Sequence, residues 1–247
     1  MSTPERPSPS ARPGLPPVIV TIDGPAGTGK SSVAHALARA LGLDFLDTGA
    51  MYRAVTLIAL RAGIDLRDAD GLARLARSAN IRFDFTADPP EITAFSFALG
   101  SAIRSAEVSA AVSIVAAHAQ VRASMVAAQR AVAVEHPRLV TEGRDQGSVV
   151  FPDAAVKFYL DASPRIRAER RASQLRREGQ PADLEEILLA IIRRDEMDMG
   201  RAVAPLRCPA DAVRVDTGSL SLAETVAELV RLARAAAPRE LAVGSGS

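Results

Sequence analysis

The sequence predicts an α/β domain, with a five-stranded parallel sheet flanked by helices. Three observations carry this expectation. Short apolar runs alternate with longer amphipathic stretches, the pattern of a parallel sheet with helical crossovers. The first run ends in a glycine-rich turn that opens directly into a helical stretch. Each later run is followed by polar residues, as expected where strand ends carry a site.

The elements follow in chain order. Val18–Ile22 is rich in β-branched residues and reads as the first strand, with a helix over Ser31–Leu41 after the turn. Asp44–Leu46 is a shorter strand, followed by a helix over Ala50–Ala62. Residues 63–138 stand apart as an insertion lobe. They hold a hairpin (Ile81–Phe85 and Ile92–Phe97 around Asp88-Pro89-Pro90) and an Ala-rich helical region over Glu107–Val134. Leu139–Thr141, Val156–Leu160 and Ala212–Val215 supply the remaining strands, and Pro164–Arg177, Asp183–Met197 and Ser221–Ala236 the remaining helices.

A chain of 247 residues accommodates one large domain or one domain with an insertion. Hydrophobic residues at 48% and charged residues at 24% exclude a disordered protein. A formal charge of +1 excludes a generally cationic nucleic-acid binder, so any basic surface is local. The one cysteine, Cys208, rules out a disulfide within the chain and is expected to be buried or half-buried. No apolar run reaches the roughly 18 residues of a membrane span, and the proline-rich start lacks a hydrophobic signal core. A monomeric, cytoplasmic protein is expected, without a membrane or nucleic-acid partner, with a disordered leader over 1–16 and a disordered tail over 237–247. Among its 30 basic residues only Lys30 and Lys157 are lysines.

Lys30 has a motif. Gly24-Pro25-Ala26-Gly27-Thr28-Gly29-Lys30-Ser31 fits G-x-x-x-x-G-K-[ST], with Ser32 continuing the helix. The glycines let successive N–H groups face a phosphate, and the helix presents its positive dipole end to the same anion. Lys30 is placed to reach the β- and γ-phosphates of ATP, and the Ser31 hydroxyl to bind Mg²⁺. An ammonium is a compact point charge that a planar guanidinium does not replace. Lys157 fits no motif and is expected to be an edge or snorkelling lysine. The three histidines fit none either and are expected on the surface or in helices. No Asn-Lys-x-Asp or Leu-Ser-Gly-Gly-Gln element is present, which favours a small-molecule kinase on a P-loop NTPase core.

Phosphoryl transfer between two anions needs positive charge around the transferred group. Arginines cluster accordingly in Asp47–Arg53, in Glu142-Gly143-Arg144-Asp145, and at Arg165, Arg167, Arg170 and Arg171. Arg194, Asp198 and Arg201 share one helical face by their spacing.

These strings resemble the bacterial cytidylate kinases, members of the nucleoside monophosphate kinases. The matching stretches are TIDGPAGTGKSS (21–32), LDTGAMYR (46–53), EGRDQGSVVFPD (142–153), KFYLDAS (157–163), RAERRASQL (167–175) and RDEMDMGRAVAPL (194–206). The resemblance spans about 17–236. It implies a core over 17–62 and 139–236, an acceptor-binding insertion over 63–138 and a lid over about 163–180. It implies phosphorylation of CMP and dCMP by ATP with Mg²⁺. Thr48 and Arg53 would hold the acceptor phosphate, and Ser113, Arg122 and Asp145 would read cytosine. Arg194 and Asp198 would bind the sugar, with Arg201 assisting, and Arg167, Arg170 and Arg171 would close over ATP in the lid. The chain departs from the pattern at Met197 and Met199, where polar or basic residues are usual, and in the unusually apolar stretch 91–100. Two other readings stay open: another small-molecule P-loop kinase, for UMP, AMP or shikimate, and a non-catalytic nucleotide-binding P-loop protein.

Overall fold

A computed structural model describes residues 15–241. The chain opens with strand β1 (Val18–Asp23), the glycine-rich turn, helix α1 (Lys30–Leu41), strand β2 (Asp44–Asp47) and helix α2 (Thr48–Arg61). The insertion follows with α3 (Ala69–Ser78), three short strands β3 (Arg82–Asp84), β4 (Glu91–Ala94) and β5 (Phe97–Ala98), a 3₁₀ turn over Gly100–Arg104, α4 (Ala106–Val115) and α5 (Ala119–Glu135). The chain then returns through β6 (Arg138–Glu142), a π-helical turn over Gln146–Val150, β7 (Val156–Asp161), α6 (Pro164–Arg177), α7 (Leu184–Met199), β8 (Val213–Asp216) and α8 (Leu222–Ala236).

The main sheet has five parallel strands in the order β2-β6-β1-β7-β8. Strand β1 is central and covered on both faces, so its side chains are nearly all apolar rather than alternating. Most helices start on a polar side chain that accepts a free first-turn N–H. Asp47 serves α2, Asp68 α3, Ser105 α4, Ser163 α6, Asp183 α7 and Ser221 α8. Helices α1 and α5 have no such side-chain cap.

Two apolar clusters hold the molecule together. The first joins the sheet to α1 and α8 through Val20, Ile22, Leu37, Phe158, Leu160 and Leu229. Each such buried aliphatic or aromatic side chain contributes about 1.5–3 kcal/mol. The second packs α2 against α3, α4, α5 and β4, through Met51, Val55, Leu72, Ile92, Val108 and Met125. Helix α2, expected in the core, thus shares the hydrophobic cluster of the insertion.

Several expectations are corrected. Helix α3 is an addition: its Leu72, Leu75 and Ala76 lie one turn apart and are buried. The helical region over 107–134 breaks at Ala116–His118 into α4 and α5, bent by 101°. The hairpin gains a third strand, β5. Lys157 is not on an edge. It lies in β7, between β1 and β8, where its buried ammonium donates to the Pro152 carbonyl and pairs with Asp211 at 2.5 Å. Cys208 is exposed, in the loop before β8, where the neighbouring Leu206 turns inward instead. The packed chain also runs past 236, since Ala237 and Leu241 are buried in the first cluster; residues 242–247 of the expected tail lie outside the described residues. Residues 1–14 of the expected leader do too, while the Pro16 carbonyl accepts a hydrogen bond from Arg138 Nη1 at 2.6 Å.

Candidate active site

The glycine-rich turn, the start of α2 and the loop after β6 converge at the C-terminal ends of adjacent strands, where open α/β sheets form their clefts. They meet α4, α5, α6 and α7 around a cavity of about 900 Å³. That is at the upper end of the roughly 300–1,000 Å³ typical of ligand sites.

One wall is the turn. Gly24, Gly27 and Gly29 have φ of 146°, 80° and 86°. At Gly24 any side chain is barred: a Cβ would lie 2.1 Å from the Leu160 carbonyl oxygen. The α1 N-terminus has no side-chain cap, which leaves its first N–H groups to an outside anion. Lys30 Nζ donates to the Pro25 carbonyl at 2.7 Å, and the Thr28 hydroxyl donates to the same oxygen at 3.2 Å. Burial, then the nearby Arg144 charge, pushes the Lys30 ammonium below its ordinary range. Ser31 Oγ donates to Glu142 Oε1 at 2.6 Å. Burial, then Asp47, pushes the Glu142 carboxyl up. This oxygen pair suits Mg²⁺, which takes one or two protein oxygens and completes its shell with phosphate and water. Among the described residues no group of three or more His, Cys, Asp or Glu side chains is placed to hold a metal ion.

The facing wall belongs to the start of α2 and to α4, α5 and α7. Thr48 Oγ1 donates to the Glu142 carbonyl at 2.7 Å, and Thr48 and Gly49 line the cavity at the helix N-terminus. Arg53 donates to Ser109 Oγ at 2.8 Å. Arg122 and Asp145 form an ion pair, both buried, with the Arg122 guanidinium 5.4 Å from the centre of the Tyr52 ring. Ser113 lies buried beside them on the cavity wall. Asp198 binds Arg144 at 2.8 Å through one carboxylate oxygen and Arg201 through the other. Burial opposes the Asp198 charge, but Arg144, Arg201 and Arg194 outweigh it and hold its carboxyl below the usual range.

The electrostatics of this wall call for an anion. Burial, then Arg144, lowers Arg194 to about 10, and its Nε has no partner. Burial followed by Arg104 lowers Arg53 as well. Crowded guanidinium groups that disfavour their own charge are relieved when a phosphate enters between them.

Most of the expected residues come together here. Ala26, Gly27, Gly29, Lys30, Ser31, Ser32, Thr48, Arg53, Ser113, Arg122, Asp145, Arg171, Arg194, Asp198 and Arg201 all line the cavity. Gly24, Pro25 and Thr28 shape the turn from behind. Arg167 and Arg170 do not face the cavity. Arg167 is buried and bonds the Ala26 carbonyl at 2.8 Å, the Ala162 carbonyl at 2.9 Å and Asp195 at 2.6 Å, which ties the turn to α7. Arg170 bonds the hydroxyl and the carbonyl of Thr217. Sequence reasoning placed Arg144 only within an arginine cluster and assigned no individual role to Glu142, Arg144, Arg104 or Tyr52, which also line the cavity. Glu142, Arg144 and Tyr52 sat within quoted strings, whereas Arg104, paired with Asp47 at 2.7 Å, had no sequence signal.

Known proteins share this arrangement of sequence. The cytidylate kinase family model matches residues 20–235. A cytidylate kinase from Mycobacterium avium (strain 104) is 46% identical over 217 residues, covering 88% of this chain and 95% of that protein. One from Nocardia farcinica (strain IFM 10152) is 46% identical over 216 residues, covering 87% and 93%. One from Shouchella clausii (strain KSM-K16) is 43% identical over 215 residues, covering 87% and 95%.

Proposed function

This chain belongs to the cytidylate kinase family, and from that premise we propose how its cleft carries a phosphoryl group from ATP to CMP, and to dCMP. The carrying observation is that one cavity holds the Lys30–Ser31 turn, the Thr48–Arg53 wall and the buried Arg122–Asp145 pair.

ATP enters with its phosphates on the N–H groups of the turn. Lys30 leaves the Pro25 carbonyl for the β- and γ-phosphates, where its charge is stabilised again. Ser31 would hold Mg²⁺, which when bound supplies charge neutralisation at the phosphates. Thr48, the α2 N-terminus and Arg53 receive the CMP phosphate. Arg122 donates to the cytosine carbonyl while the Asp145 carboxylate accepts from the exocyclic amine, with Ser113 completing the base site. Arg194 and Asp198 face the sugar, with Arg201 beside them. A phosphate monoester carries most of its second charge at pH 7, so the attacking oxygen needs no strong base. Catalysis is alignment plus neutralisation of charge. Arg171 already faces the cavity. Arg167 and Arg170 reach the transferring group only if α6 moves as a lid, and the present bonds of Arg167 make it a brace for the turn.

We further propose that the protein acts as a monomer in the cytoplasm. An acceptor panel in a coupled ADP-release assay tests the function. CMP should outrun UMP, AMP and shikimate. Faster turnover of another acceptor would replace cytidylate, and ATP binding without ADP from any acceptor would favour the non-catalytic reading.

A further inference from the structure

Behind the cavity lies a buried polar network centred on Gln146. Gln146, the first residue of the π-helical turn, has no exposed surface. Every polar group of its side chain is engaged. Its Oε1 accepts from Thr141 Oγ1 at 2.9 Å, and its Nε2 donates to Gln129 Oε1 at 3.1 Å and to Thr48 Oγ1 at 3.4 Å. Its backbone N–H donates to Asp23 Oδ1 at 2.8 Å, and the next N–H, that of Gly147, donates to Asp23 Oδ2 at 2.7 Å.

The chain positions of these partners give the network its meaning. Asp23 ends β1 and immediately precedes the phosphate-binding turn. Thr48 starts α2 on the acceptor-phosphate wall. Gln129 lies on α5 two turns from Arg122, and Arg122 pairs with Asp145, the residue before Gln146. One residue therefore touches, through its backbone N–H, the strand that carries the donor site and, through its side-chain amide, the wall that carries the acceptor phosphate and the helix that carries the base reader. Gly143 leaves room for this: a Cβ there would fall 2.8 Å from both Gln146 Nε2 and Thr48 Oγ1.

We propose that Gln146 is a positioning residue that sets the distance between the donor cradle and the acceptor, by holding Asp23, Thr48 and Gln129 in one buried hydrogen-bond network. The proposal rests on the acceptor site described above. Gln146 touches neither nucleotide and acts through Thr48 and the Asp145–Arg122 pair. All side-chain bonds of Gln146 are made, while the Gln129 Nε2 is buried without a hydrogen-bond partner, and displacement of an acceptor by about 1 Å can cost on the order of a hundredfold in rate.

The test is Gln146→Met, which keeps the side-chain length and the backbone bond to Asp23 but removes all three side-chain bonds. It is measured beside Gln129→Leu/Gln146→Met, which also removes the polar group left unpaired on α5. The single variant should lose about tenfold or more in kcat with CMP while KM for ATP stays within about twofold, since the donor cradle is untouched. The double variant should regain thermal stability but not kcat. Unchanged kcat in Gln146→Met overturns the proposal. So does recovery of kcat together with stability in the double variant, or a parallel loss of ATP affinity, because each would make Gln146 a structural residue only. Wild-type turnover of CMP in the same assay checks the underlying reading separately.

Discussion

Asp145→Asn separates base recognition from folding most directly. The substitution keeps the shape and removes a charge that, like its partner's, is almost wholly out of water: the two side chains are 3% and 4% exposed. Removing one member of a buried pair costs about 3–5 kcal/mol, because the other charge is left uncompensated. Here the Asn oxygen can still accept from Arg122, so the lower end, about 3 kcal/mol, is expected. At roughly 2–4 °C per kcal/mol for a domain of this size, Tm should fall by about 6–12 °C. The effect on the reaction has a different sign for different bases. A carboxylate accepts from the exocyclic amine of cytosine, whereas the Asn amide can turn its N–H₂ toward the carbonyl that uracil carries at that position. An unpaired buried group costs about 1–3 kcal/mol. The CMP-to-UMP ratio of kcat/KM should therefore drop by about 5- to 150-fold. Both quantities come from one preparation: Tm by thermal melt, and the ratio by coupled ADP release with each acceptor. A variant that loses stability but keeps its wild-type ratio would show that Asp145 holds Arg122 in place without reading the base.

Two further outcomes follow from the donor side. Lys30→Ala should fold, since the ammonium bonds only to the Pro25 carbonyl and its neighbour Thr28 bonds the same oxygen independently. Its kcat should fall by orders of magnitude; near-wild-type turnover in single-acceptor kinetics would remove Lys30 from the phosphate site. Asp23 is raised by burial from 3.8 to about 6, with the Gly147 and Gln146 amides opposing that rise. A raised folded-state pKa means that this group's contribution to stability is fully present below about pH 4 and is lost as pH rises through about 6. At 1.36 kcal/mol per unit the change is roughly 3 kcal/mol. The difference in urea-unfolding free energy between wild type and Asp23→Asn, which does not titrate, should shift by that amount between pH 4 and pH 7. Parallel curves would mean that Asp23 ionises as an ordinary carboxylate.

What was legible in the sequence divides by range of interaction. The phosphate turn is contiguous, and its shape follows from glycines within eight residues, so strand, turn and helix were all readable. The inner strands β6, β1 and β7 were readable for a related reason: a strand covered on both faces is mostly apolar, and that composition is local. The acceptor wall was readable only through strings that resemble a family, because Thr48, Arg122 and Arg194 come from three separate elements. Pairings across the chain carried no signal. Nothing in the neighbourhood of Arg104 points to Asp47, nor near Lys157 to Asp211. The spacing of Arg167, Arg170 and Arg171 showed a basic helix face but not where each guanidinium turns. That is decided by Ala26, Asp195 and Thr217, contributed by the phosphate turn, α7 and the loop after β8.

The arginines of this cleft divide into two groups by what satisfies them. Arg122, Arg144 and Arg167 are each matched by a carboxylate, Asp145, Asp198 and Asp195. Arg201 shares Asp198 with Arg144, while Arg53 bonds, among the described residues, the neutral Ser109 hydroxyl and Ile103 carbonyl, and Arg194 keeps a buried Nε without a hydrogen-bond partner. The charge of the first group is matched by a carboxylate within the protein. The second is held near charges of the same sign, and its members are pushed down in pKa after burial by exactly those neighbours, Arg104 on Arg53 and Arg144 on Arg194. Repulsion of this kind is relieved when an anion comes between such guanidiniums, which supports the proposed place of the acceptor beside Arg53 and Arg194.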